Sequence, residues 1–417
     1  MKRTSRLTLA AALGGGLLAA CTRPPAPETP APPLTSEVDL FIGTDRAATI
    51  REPEKAAGWA NAIPAVSLPF GMVQWGPDTE TAFHASATSY RYTDRAIRAF
   101  STTHLSGVGC PVYADFPFIP VVGALGGSPA AWPETYLLRF SREKEEAAPG
   151  LYRVRFDNGL EVALTATART GRAELSFPEG EEGHLFLNAA RSATRVGDAR
   201  VKLDERRFQA TLTAGAFCGT LNRYTVHLAG ELEREPAGWG TFDGEEMRPD
   251  AGEVSGEDAG AWLSFDTAED RVVRFKFALS YVSPEGAARN LEAESPGWDF
   301  EATRAAADFA WEAALGAIRV EGGTKSQRRV FYSALYRSLL HPNLASDVDG
   351  SYRGFDEEVH TVEAGHAHYA NFSGWDVYRS QMALLALVAP DVAGDFGQSL
   401  LEAAEQGGGL PIWTVAN

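Results

Sequence analysis

The residues best suited to chemistry lie in Asn371-Phe-Ser-Gly-Trp-Asp-Val-Tyr-Arg379, where Asp376 follows Trp375 and stands three residues before Arg379. A carboxylate accepts hydrogen bonds from hydroxyls, a guanidinium donates them in a fixed fork, and an indole offers a flat apolar face. Together they suit a sugar ring. Further along, Trp413 follows Gly407-Gly-Gly-Leu-Pro-Ile412 and reads as a second site aromatic, while Glu402 and Glu405 share a helix face that reads as solvated. Upstream, His104, Ser106 and Cys110 sit close together among glycines. A Cys/His or Ser/His nucleophile pair is conceivable there, but no orienting third group is evident and the Gly-x-Ser-x-Gly elbow is absent, so a pocket-lining loop is the better reading. Gln74, Trp75 and Asp78 follow a Pro- and Gly-bracketed strand and could reach a site, whereas Phe70, Met72 and Val73 read as core. Two metal patterns are weak. Asp347-Val-Asp349-Gly-Ser351, with Glu358 at the twelfth position, mimics a calcium loop but has Tyr352 where that loop turns on Gly, and Asp349-Gly350 equally reads as a hairpin turn. His366-Ala-His368 would place two rings on one strand face with no third ligand in view.

These residues need elements to hold them. Residues 36–284 read as β-rich: 151–156 alternates apolar and polar, Asp157-Asn158-Gly159 turns, and 160–166 returns. Further short strands fall at 172–177, 184–188, 208–214, 224–229, 261–265 and 272–282, the punctuation of a large antiparallel sandwich. The pattern changes near Pro296, and Asp299 caps an expected helix over 300–318. Helices are also expected over 326–340, 375–388 and 392–405, the last closed by glycines. The 375–388 helix is apolar nearly all round, which calls for neighbours on several sides.

The N-terminal residues read as an export signal: Lys2, Arg3 and Arg6, an apolar run over 7–20, then Leu18-Ala-Ala-Cys21. Small residues before a cysteine resemble the site where a bacterial lipoprotein leader is cut and Cys21 is lipidated. Residues 22–35 are rich in Pro, Ala and Thr and read as a tether. The expected location is the cell envelope, with membrane anchoring through Cys21. Cys110 and Cys218 could pair in an oxidising compartment, or Cys110 could be a small buried residue. A net charge of −17 argues against a nucleic-acid partner.

A family resemblance rests on motifs in order along the chain: Val38-Asp-Leu-Phe-Ile-Gly-Thr44, Leu68-Pro-Phe-Gly-Met72, Phe100 to Cys110, Asp115-Phe-Pro-Phe118, His341-Pro-Asn343, Ser346-Asp-Val348, Tyr352-Arg-Gly-Phe355, Asn371 to Arg379 and Gly408 to Trp413. These resemble the glycoside hydrolases of family 92. The resemblance implies exo-acting, inverting, calcium-dependent α-mannosidases acting on mannose-containing glycans. It implies an α+β multidomain fold, an antiparallel β-sandwich, a linking helix and the start of an (α/α)6 barrel. On this sequence the divisions fall at 1–21 (leader), 22–35 (tether), 36–285 (sandwich), 286–323 (helical linker) and 324–417 (start of the barrel). Carried over, Trp375, Asp376 and Arg379 hold the mannose, with His104, Ser106 and Cys110 on the sandwich loop facing it. His84 stands near the position where α-1,2-specific members carry a tryptophan, and Ile412 stands where many members have a basic residue. The proton-transferring Glu and Asp that inversion requires, and most calcium ligands, are expected beyond Asn417. The 417-residue chain alone is accordingly expected to be inactive, the alternative being a non-catalytic glycan-binding surface lipoprotein.

Overall fold

The computed structural model describes residues 32–48, 56–81 and 87–415, and from Pro33 onward the chain forms one compact unit. Cys21, the leader and most of the tether, and His84 lie outside the described residues.

Alternating burial along the strands builds the first region. Leu151–Phe156 and Glu161–Ala166 pair as the hairpin expected, with Tyr152 opposite Leu164 and Val154 opposite Val162 on the buried face. Sixteen strands join in one antiparallel network that forms two facing layers. One layer runs through Gly238–Asp243, Ala259–Phe265, Gly183–Leu187, Phe118–Val122 and Ala96–Ser101. The other runs from Leu138–Ala148 through Thr170–Ser176, Val272–Ser280, Arg223–Leu232 and Arg207–Gly215 to Arg195–Asp204. They join where Ala96 and Ile97 pair with Arg139 and Leu138. Apolar rings fill the space between: Trp75 meets Phe118, Phe275 and Phe277, and its Nε1 donates to Phe100 O at 3.1 Å. Trp75 is therefore core, not a residue reaching a site as the sequence suggested.

The strand Leu138–Ala148 escaped the sequence reading because its middle, Ser141-Arg-Glu-Lys-Glu-Glu146, looks solvated. A register shift between Phe140 and Glu145 turns Glu145 inward. There its carboxylate accepts from Tyr90 OH and Tyr152 OH, and Arg142 pairs with it.

The helical region begins earlier than Pro296. Helix α1 (Pro284–Glu294) starts directly after the last long strand, capped by Ser283, whose side chain accepts from Gly286 N. Helix α2 (Phe300–Leu315) is capped by Asp299 as expected, at 2.8 Å from Ala302 N. Helix α3 (Lys325–Ser338) opens with a Thr324/Gln327 capping box. Trp311 of α2 packs its ring at a tilt against Tyr336 of α3 and donates from Nε1 to Ser67 O at 2.7 Å, which ties both helices to the sandwich. The single helix expected over 375–388 is two: α4 (Gly374–Val377) and α5 (Gln381–Val388). Ser380 leaves helical geometry between them, and Gln381 donates to Ser338 O and His341 O, which anchors the start of α5. Helix α6 (Pro390–Gly407) has Pro390 in its first turn and ends at Gly408 in the left-handed conformation. Among the described residues no helix is long and apolar enough to cross a membrane.

Candidate functional site

A cavity of about 580 Å³ lies where the sandwich loop 105–110 meets the segment after the short strand Tyr369–Ala370. Ser106 and Cys110 line one wall, and Trp375, Asp376 and Trp413 another, so five of the eight expected site residues share it. Phe217, Cys218, His341, Asn371, Ser373 and Gln381 complete it.

The 371–376 wall is held by pairing with 412–414. Gly374 N donates to Ile412 O, Thr414 N to Phe372 O, and Ser373 bridges to Trp413. A Cβ on Gly374 would sit 2.7 Å from Ile412 O, so the glycine of the motif is required for this approach. Trp413 Nε1 donates to Ser373 Oγ, which donates in turn to Asp376 Oδ2 at 2.5 Å. The relay fixes an exposed carboxylate through its Oδ2.

Behind this wall the polar groups are interlocked. Tyr113 OH donates to Asn371 Oδ1, and Asn371 Nδ2 donates to Asn343 Oδ1. Asn343 Nδ2 reaches Gly71 O and Leu340 O, so its Oδ1 also accepts from His341 Nδ1 at 2.7 Å. Burial holds the His341 imidazole down at about 4, against a smaller upward pull from the Asn343 bond. Below Tyr113, Asp115 accepts from Thr103 and Tyr224, yet full burial raises its carboxyl to about 6.

The remaining expected residues lie elsewhere. His104 does not line the cavity: it is buried, donating from Nδ1 to Gln74 O at 2.8 Å with Nε2 3.1 Å from Asp78 Oδ1, and it braces the loop from beneath. Ser101 donates to the other oxygen of Asp78. Gln74 and Asp78 are thus committed to this support. Arg379 is exposed outside the cavity, its guanidinium 5.8 Å from the Tyr378 ring centre. Cys110 is bonded to Cys218, which settles the two readings of that residue and removes it as a nucleophile. Ser106 Oγ accepts from Arg337 and meets no catalytic histidine.

Sequence reasoning missed Phe217, Gln381 and the role of Tyr113. Only Cys218, directly before Gly219 and paired at a distance, carried a signal for the Phe217 loop. The metal patterns dissolve into structural contacts. Asp347 turns inward to accept from Ser280 Oγ and Asn290 Nδ2, and Asp349 pairs with Arg289 at 2.8 Å, around the hairpin of Ser351–Arg353 and Val359–Thr361. His366 and His368 bind Asp395 and Glu402 of α6, and His368 stacks on Tyr352 at 3.8 Å. Glu402 is thus half of a pair, not part of a solvated face. Among the described residues no group of three His, Cys, Asp or Glu is placed to hold a metal ion.

A two-layer sandwich leads into a helical region, and the cavity of aromatic rings and one exposed carboxylate lies at their meeting. The chain belongs to glycosyl hydrolase family 92: the family's N-terminal domain matches residues 37–280 and its catalytic domain residues 286–417. The fold is similar to a family GH92 α-mannosidase of Bacteroides thetaiotaomicron (TM-score 0.84, 28% identity, 93% of this chain and 52% of that one). It is also similar to a family GH92 inverting mannosidase of the same species (TM-score 0.80, 29% identity, 91% and 50%). A curated relative, an uncharacterized secreted glycosidase of Arthroderma benhamiae, is 26% identical over 329 residues, 70% of this chain and 41% of that protein. The chain spans about half the length of these relatives or less.

Proposed function

We propose that this chain is part of an exo-acting, inverting α-mannosidase that removes terminal mannose from glycans. The observation that carries the reading is the Trp413–Ser373–Asp376 relay beside Trp375 in one cavity. Asp376 grips hydroxyls of the mannose and Trp375 covers its apolar face. Two further facts support it: one mannosidase of similar fold has been solved with mannoimidazole, and another is described as inverting. The carboxylates that protonate the leaving oxygen and activate water are not assigned to residues of this chain; they and the calcium ligands belong, in this reading, to the part of the relatives' length that the chain does not span. Calcium, where bound, would polarise and orient sugar hydroxyls.

The test uses the full-length gene product on α-linked mannobioses, with the anomer of released mannose followed by NMR. β-Mannose as the first product supports inversion, and release of α-mannose or no turnover overturns the reading. The Asp376→Asn variant is expected to lose at least about 100-fold in kcat/KM, the worth of two charge-assisted hydrogen bonds. The 417-residue chain alone is expected to be inactive. Export as a lipoprotein belongs to the same proposal, supported by the Leu18-Ala-Ala-Cys21 pattern and a relative described as secreted. Labelled palmitate incorporated by the native chain and not by Cys21→Ser checks it.

A further inference from the structure

Between the strands Arg207–Gly215 and Arg223–Leu232 the chain makes a loop unlike an ordinary hairpin turn. Ala216 (φ 63°) and Cys218 (φ 49°) are both left-handed although neither is glycine, and Phe217 stands between them. Such backbone persists only where surrounding bonds over-determine it. Here they do: Phe217 N donates to Asn222 Oδ1 at 3.0 Å, Thr220 Oγ1 donates to Phe217 O at 2.7 Å, and Cys218 is joined to Cys110 across 108 residues of sequence. The outcome is one ring, placed in the cavity and stacked on Trp413 at 4.5 Å and 18°. Neither ring is fully buried, so the pair keeps apolar surface on the cavity. Next to the pair, Ser373, to which Trp413 Nε1 donates, and Asp376 form the part of the cavity suited to hydroxyls. At about 580 Å³ the cavity falls in the range that accepts ligands larger than one pyranose.

We propose that the Phe217–Trp413 stack, locked by the Cys110–Cys218 disulfide, is a platform for a second sugar ring of the glycan, and that Phe217 is thereby a specificity-determining residue. The inference rests on the mannosidase reading. The C–H face of a pyranose packs on the aromatic pair while the terminal mannose is held at Trp375 and Asp376. No bond is made or broken by Phe217; it discriminates by contact.

The experiment compares two substrates of the full-length enzyme: α-mannosyl fluoride, with one ring, and an α-linked mannobiose, with two. Phe217→Ala is expected to lower the mannobiose-to-fluoride ratio of kcat/KM about five- to tenfold, through KM on the disaccharide. Phe217→Tyr restores the ratio, and Phe217→Leu, which keeps bulk without a π face, lies between. The double variant Cys110→Ser/Cys218→Ser shifts the ratio the same way by about two- to fivefold, as ordering of the platform is lost. An unchanged ratio in Phe217→Ala and Phe217→Leu overturns the proposal, as does a loss that Phe217→Tyr fails to recover. If the wild-type enzyme cleaves neither substrate, the mannosidase reading itself has failed, and that outcome is distinct from an unchanged ratio in an active enzyme.

Discussion

Trp75 in the sandwich has no exposed surface and meets three phenylalanine rings, whereas Leu387 of helix α5 is 82% exposed and Trp375 of α4 is 59% exposed. The difference follows from how each region covers itself. Two sheets face each other, and each strand's alternation gives the other layer an apolar surface to meet. Helix α5 is apolar nearly all round, yet Leu385 is its buried residue and the packing it receives comes mainly from α6. A helix patterned this way has more apolar surface than one neighbour can cover. The sandwich wall of the cavity is therefore fixed by its own core, whereas the helical wall is less covered among the described residues.

Three measurements test that contrast. The largest effect is expected from Trp75→Ala, which should cost about 3–5 kcal/mol in denaturant unfolding; a loss under about 1 kcal/mol would mean the sandwich is not the self-sufficient partner. The next concerns pH. Asp115, raised to about 6, holds a proton in the folded chain that the unfolded chain has lost, so its stabilising share is present near pH 4 and vanishes as pH rises through 6. His341, held at about 4 by burial, has the opposite sign: its share is full above pH 6.5 and is lost as pH falls toward 4. His227, also lowered to about 4 chiefly by burial, acts with His341. Asp115→Asn should therefore steepen the rise in stability between pH 4 and 6.5 by about 2–3 kcal/mol, and His341→Gln should flatten it. Parallel profiles for both variants and the native chain would refute the assignment. The smallest effect is expected from Leu387→Ser, within about 0.5 kcal/mol in the 417-residue chain. A loss beyond about 1.5 kcal/mol would show that α5 is already covered and the contrast is wrong.

Legibility in the sequence followed locality. The 151–166 hairpin, the Asp299 cap and the glycine end of α6 are set by residues within one turn of each other, and they were readable. The strand Leu138–Ala148 was not, because the buried glutamate in its charged middle is excused by Tyr90, distant in sequence, and by Tyr152 across the hairpin. The same rule divides the site. Trp375 and Asp376 declare themselves by adjacency, and the Gly374 requirement explains part of the motif. His104 looked like a site residue because its neighbours are glycines, but its ring is turned under the loop by Gln74 and Asp78. Phe217 was invisible because nothing beside it says that Trp413, nearly two hundred residues on, comes to lie against it.

Arg337, in the last turn of α3, donates to Leu40 O, Ile42 O, Ile63 O and Ser106 Oγ from two nitrogens of one guanidinium. Helix and sandwich loop cannot part without breaking all four of these bonds to a half-buried cation together. Mechanically the end of α3 and the loop that carries Ser106 move as one piece, a fixed jamb on one side of the cavity against which the α4 side is measured.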